Sequence, residues 1–136
     1  VSNLQLSAKK IANLLYDNCS TFLINTIDSA GFPYTEIIDK PIYRDETMNF
    51  YLFTKANSLT LENLSTSSNS NFSFFSTNLY KKVVLKGHLK TIPDNLISLA
   101  SGETICIPNE HQVLYFSGVE GILYSDYQTH LFYNLD

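Results

Sequence analysis

The sequence predicts a mainly β fold, an antiparallel barrel or sandwich of six or more strands decorated by two or three short helices. Three observations carry that expectation. Nine Phe and nine Tyr with no Trp favour strands and large buried contacts. Short apolar and aromatic runs recur along the chain between clusters of turn residues. Helical periodicity is confined to the N-terminal stretch and two brief segments.

Ser7, followed by Ala8, Ile11, Ala12, Leu14 and Leu15, predicts an N-capped amphipathic helix that ends near Asp17 and Asn18. Residues 21–27 are rich in β formers, Asp28-Ser29-Ala30-Gly31 is a turn signal, and Pro33 starts a return run to Ile38. Together they predict a hairpin. A second turn at Arg44-Asp45-Glu46-Thr47 leads into a strand from Met48 to Thr54. The short helix beyond it sets Leu61 and Leu64 on one face. Residues 65–71 are almost all Ser, Thr and Asn, and they read as a helix exit and loop. Residues 71–76 and 82–89 read as strands, and Pro93-Asp94-Asn95 as the start of a short helix through Leu99. The tail is expected to form further strands at 113–116, 122–124 and 130–133, punctuated by Gly118 and Gly121.

At 136 residues the chain is expected to form one domain, residues 1–136, long enough to bury roughly two-thirds of its unfolded surface. A hydrophobic share of 44% against 16% charged residues is a globular composition. Thirteen acidic and nine basic residues give a net charge of −4, which argues against a general nucleic-acid or anionic-membrane binder. Cys19 and Cys106 belong to no CxxC, a usage that suits a reduced protein. No window reads as a targeting segment or reaches the length of a membrane span, so the expected location is the cytoplasm.

Several chemistries have no footing. There is no GxGxxG, GK[ST] or GxSxG motif. His88, His111 and His130 lack metal-ligand spacing and read as surface or strand histidines, so no metal site is expected. Asp39, Asp45, Glu46 and Glu62 form no acid–base pair and read as turn and solvated-face residues. The segment from Phe53 to Leu64, "FTKANSLTLENL", carries more. Its Thr, Lys and Ser residues stand where a strand gives way to a helix. Such a junction either caps the helix or offers hydroxyls, an ammonium and free N–H groups to a phosphate.

The order of these segments resembles a known family. The hairpin has the pattern T-x-D-x-x-G-x-P at Thr26, Asp28, Gly31 and Pro33. The next strand ends in T-x-x-x-S-x-x-x-x-N-L at Thr54, Ser58, Asn63 and Leu64, and a V-V-L-K-G strand runs from Val83 to Gly87. Over roughly Leu4 to Thr91 the chain is similar to the pyridoxamine 5'-phosphate oxidase-like split-barrel family, in particular its small general-stress-protein-type members. The resemblance implies an antiparallel split barrel that forms a homodimer and holds FMN in clefts between subunits. By position it implies that Thr54, Lys55 and Ser58 contact the phosphate, with Thr60 where the family usually has Lys. Thr35, Glu36 and Ile37 would flank the ring, Glu36 standing where many members carry Arg or another polar residue. Lys82 would be a second cationic contact.

The resulting expectation is an FMN-binding oxidoreductase with the flavin at a dimer interface and its substrate open. In such an enzyme the cofactor carries the chemistry, so the want of a catalytic acid or base does not count against it. The alternative is a non-enzymatic split-barrel protein with a degenerate flavin site. Haem binding has only the three histidines behind it. True pyridoxamine-phosphate oxidation is not expected, because Arg44 is the sole arginine and a second phosphate would want several.

Overall fold

The computed structural model describes residues 3–45, 47–93, 96–99 and 101–133. Helix α1 spans Asn3–Asp17, and strands β1 (Phe22–Ile27) and β2 (Pro33–Ile38) form the expected hairpin. A two-residue strand β3 (Tyr43–Arg44) precedes β4 (Asn49–Lys55), which runs into helix α2 (Leu59–Leu64). Strands β5 (Asn69–Ser76) and β6 (Lys81–Ile92) follow, then a small hairpin of β7 (Leu96–Ser98) and β8 (Thr104–Cys106). The long β9 (His111–Ser125) and β10 (Gln128–Tyr133) complete the chain.

Eight strands make one sheet in the order β2-β1-β5-β6-β9-β4-β3, with β10 also on β9. Every pairing in it is antiparallel. The sheet curls around its core without closing, so β2 and β3 remain edges: the fold is a split barrel. β9 organises it. One side of β9 pairs with β6 along most of its length, while the other takes β4 at residues 111–117 and β10 at residues 120–125.

The inner face is a phenylalanine cluster. Phe22, Phe50, Phe72, Phe74, Phe116 and Phe132 are fully buried, and the Phe50 and Phe72 rings lie 4.6 Å apart. Each such ring contributes about 1.5–3 kcal/mol through burial alone. Alternation explains the selection, since β1 buries Phe22, Ile24 and Thr26 and turns the residues between them outward. Helix α1 lies against β5, β9 and β10 and buries Ala8, Ala12, Leu15 and Tyr16 along one stripe. Arg44 fastens its C-terminal end, bonding Asp17 at 3.0 Å and the Asn13 carbonyl at 3.2 Å while its guanidinium lies 4.4 Å from the Tyr16 ring centroid. No helix among the described residues is long and apolar enough to cross a membrane.

Four expectations need correction. Ser7 does not cap α1, which is already helical at Asn3. The polar loop ends sooner than expected, because Asn69, Ser70 and Asn71 pair with His88, Gly87 and Lys86. Leu96 to Ser98 form a strand and not a helix, paired with residues 104–106, while Asp94 and Asn95 lie outside the described residues. Gly118 and Gly121 do not interrupt the tail, for β9 runs unbroken through both. Glu46, in the second turn, also lies outside the described residues.

Candidate functional site

The strand-to-helix junction after β4 packs against edge strand β2, and a cleft of about 400 Å3 opens between them. Ser58 fixes the start of α2. Its backbone is extended (φ −74°, ψ 153°), and its Oγ accepts a hydrogen bond from the Leu61 N–H at 3.3 Å. From the other side, Asn63 donates through Nδ2 to Thr26 Oγ1 at 3.0 Å, a buried bond that ties α2 to β1. Leu61 and Leu64 pack on the core, as their spacing predicts.

Glu36 sits at the centre. It pairs across the hairpin with Ile24, so its side chain shares the inward face of β2 and reaches toward α2. Oε1 lies 2.7 Å from Thr60 Oγ1, and Oε2 lies 2.9 Å from Thr54 Oγ1. Thr54 Oγ1 is in turn 2.8 Å from Ser58 Oγ. An ionised carboxylate only accepts, so both threonines give it their protons, and Thr54 must then receive its second bond from Ser58. The donor order is therefore Leu61 N–H, Ser58, Thr54, Glu36, with Thr60 arriving separately. Thr60 is 0% exposed and Thr54 3%, so these are charge-assisted bonds sheltered from water. Losing the carboxylate would strand two buried hydroxyls, at about 1–3 kcal/mol for each left unpaired.

The cleft gathers five of the eight site residues expected from sequence: Glu36, Ile37, Thr54, Lys55 and Ser58 line it. Thr60 lies beneath, behind the carboxylate. Thr35 is turned to the opposite face of β2, where its hydroxyl bonds Asn25. Asn25 lines a different cleft, of about 440 Å3, with Asn71, Lys86, His88 and Glu120. Lys82 is not brought in. It pairs opposite Tyr124 near one end of β9, whereas Lys55 pairs with His111 at the other, on the order of 40 Å along the strand.

Sequence reasoning missed Tyr34, Asp39, Phe53 and His111, which also line the cleft. His111 arrives only through the β4–β9 register, and its ring packs edge-on to Phe53 at 6.1 Å. No local signal marks a pairing between residues so distant in sequence. The alternation of β4, which turns Phe53 and Lys55 outward together, was the one readable hint.

The charged groups on the cleft wall are Glu36, Asp39 and Lys55. Lys55 forms no ion pair, the one ion pair among the described residues being Arg44–Asp17. A phosphate set within about 4 Å of Glu36 would meet like-charge repulsion of about 4 kcal/mol per unit of charge at an effective dielectric of about 20. The hydroxyls that would stabilise it are already committed, Thr54 and Thr60 donating to that carboxylate and Ser58 to Thr54. The residues present therefore do not fit the phosphate of FMN.

No protein-family model matches the chain, and no curated protein sequence matches it. Solved structures do. A Clostridium acetobutylicum protein related to general stress protein 26 of B. subtilis (pyridoxinephosphate oxidase family) aligns with a TM-score of 0.75 at 16% identity, over 93% of this chain and 94% of that one. A pyridoxamine 5'-phosphate oxidase-related, FMN-binding protein from Nostoc punctiforme aligns with a TM-score of 0.64 at 10% identity, over 90% and 84%. A heme-binding protein from Mycobacterium smegmatis aligns with a TM-score of 0.69 at 11% identity, over 98% of this chain and 59% of that one. At such identities the likeness is one of fold, and it is the split-barrel fold expected from the sequence.

Proposed function

We propose that this chain is a small-molecule-binding split-barrel protein that holds a planar ligand in the cleft between β2, the end of β4 and α2. The observation that carries the reading is the cleft's composition: Tyr34, Phe53 and His111 offer ring surfaces beside a polar wall whose hydroxyls already serve Glu36. Stacking surfaces without a free anion grip suit a binding protein with a degenerate flavin site. The chain works as a homodimer in this reading. Ile37 and Leu59 on the cleft rim are 75% and 52% exposed, apolar surface that a second subunit would cover while completing the cleft.

The second reading is an FMN-dependent oxidoreductase, favoured by the likeness in fold to the FMN-binding protein from Nostoc punctiforme and by the ammonium of Lys55 at the cleft. An absorbance spectrum of freshly purified protein separates the two. Bands near roughly 370 and 450 nm at close to one flavin per chain, with the released flavin identified as FMN, would favour the oxidoreductase reading and sink ours, and a Soret band would point to haem. We expect neither band, and saturable quenching of riboflavin fluorescence when the flavin is added back.

A further inference from the structure

We infer that Glu36 is a resident occupant of the anion subsite and sets the charge class of the ligand, so that the cleft takes a neutral or cationic planar molecule in preference to its phosphorylated counterpart. The inference deepens the reading above and rests on that cleft being the binding site.

Proton counting carries it. Thr54, Ser58 and Thr60 have one hydroxyl proton each, and the hydrogen-bond geometry commits all three to a network that ends on Glu36. An incoming anion would find the oxygens of this cluster facing it and no proton to accept. The network is also braced from behind. Thr60 and Thr54 are buried, and Ser58 is engaged by the Leu61 N–H, so none of the three can swing toward solvent without abandoning a partly buried bond.

Charge points the same way. Glu36 has no cation within ion-pair distance among the described residues, and Asp39 adds a second carboxylate to the wall. One ammonium, Lys55, does not offset both. A ring bearing an amine or amidine would gain from Glu36 what a phosphate loses. Edge strand β2 is what allows this arrangement. Among the described residues no further strand lies beyond it, so the ligand can approach Glu36 along the open side of the sheet.

Riboflavin and FMN share their ring and differ in the terminal phosphate, so their affinity ratio reads the subsite directly. Titration by fluorescence quenching of the full chain, of Glu36→Gln and of Glu36→Arg would be paired with melts of all three. The unaltered protein should bind riboflavin at least about tenfold more tightly than FMN. Glu36→Gln, equal in size, should bring the two within about threefold, and Glu36→Arg should reverse the order. FMN bound as tightly as riboflavin by the unaltered protein, or one ratio shared by all three proteins, would overturn the inference while leaving the cleft reading intact. FMN binding gained by Glu36→Arg, with riboflavin bound by none, would uphold Glu36 as occupant and overturn the planar-ligand reading instead. Neither flavin bound by any of the three would overturn both. Should Glu36→Arg fail to fold, Glu36→Gln alone still gives the ratio.

Discussion

Asp45 illustrates how far one side chain can hold a turn. Its Oδ1 accepts from the Thr47 and Asn49 N–H groups and from Thr47 Oγ1, and its Oδ2 accepts from Asn49 Nδ2. Burial pushes the Asp45 carboxyl up, but these donated bonds outweigh it and hold the group below the usual aspartate range. A folded-state value below the unfolded one favours folding once the group ionises. Its contribution is therefore full above the ordinary value of about 3.9 and vanishes as pH falls through the lower folded value. Asp45→Asn should destabilise the protein by about 1 kcal/mol near neutral pH, the group being only partly buried, and should flatten the acid limb of its melting profile. An equal acid limb in both proteins would show that the turn draws nothing from the charge. Lys55 is the opposite case. It is exposed and unpaired, so Lys55→Ala should leave the melting temperature unchanged within error. Neither outcome needed the structure to be guessed, since Asp45 was recognisable as a turn residue. The Glu36 network was not, because it joins residues from two strands and a helix that only the fold brings together.

Elements specified by neighbouring residues were legible; those specified by distant partners were not. The hairpin of β1 and β2 follows from alternation and the Asp28–Gly31 turn, where Asp28 Oδ1 accepts from Ala30 and Phe32 N–H groups as such turns do. Helix α2 was equally readable, and Ser58 is its cap. Ser58→Ala should cost about 1 kcal/mol in a thermal melt, with Lys55→Ala as the silent comparison. The helix expected after Pro93 failed because Leu96, Ile97 and Ser98 take their conformation from residues 104–106, a cross-strand pairing that local propensity cannot report. The glycines of β9 misled for a steric reason. Gly121 pairs with Phe132, and a Cβ there would sit against the Phe132 ring, so this glycine admits an aromatic and does not end a strand. Gly121→Ala should therefore destabilise the protein by about 1–3 kcal/mol through overpacking, measured by denaturant unfolding. A neutral result would mean that β10 can lift away from β9 at little cost.

For the molecule as a whole, composition had already announced a mainly β chain rich in buried aromatics, and six fully buried phenylalanines confirm it. Strand order was beyond reach, because nothing in the sequence pairs β4 with β9 across β5 and β6. Light scattering at micromolar concentration should give about twice the 15.4 kDa chain mass. A mass of one chain would remove the homodimer and with it any cleft shared between subunits. The place of β9 also sets a clock. Synthesised from its N-terminus, the chain presents β4 with the apolar side chains of Phe50 and Leu52, yet the partner strand that covers that edge is encoded roughly sixty residues later. At about 5–20 residues per second, the ribosome leaves β4 waiting on the order of 3–12 s. For that interval the nascent protein carries an unsatisfied, aromatic-rich edge of the kind that chaperones capture and that neighbouring chains on a polysome can pair with.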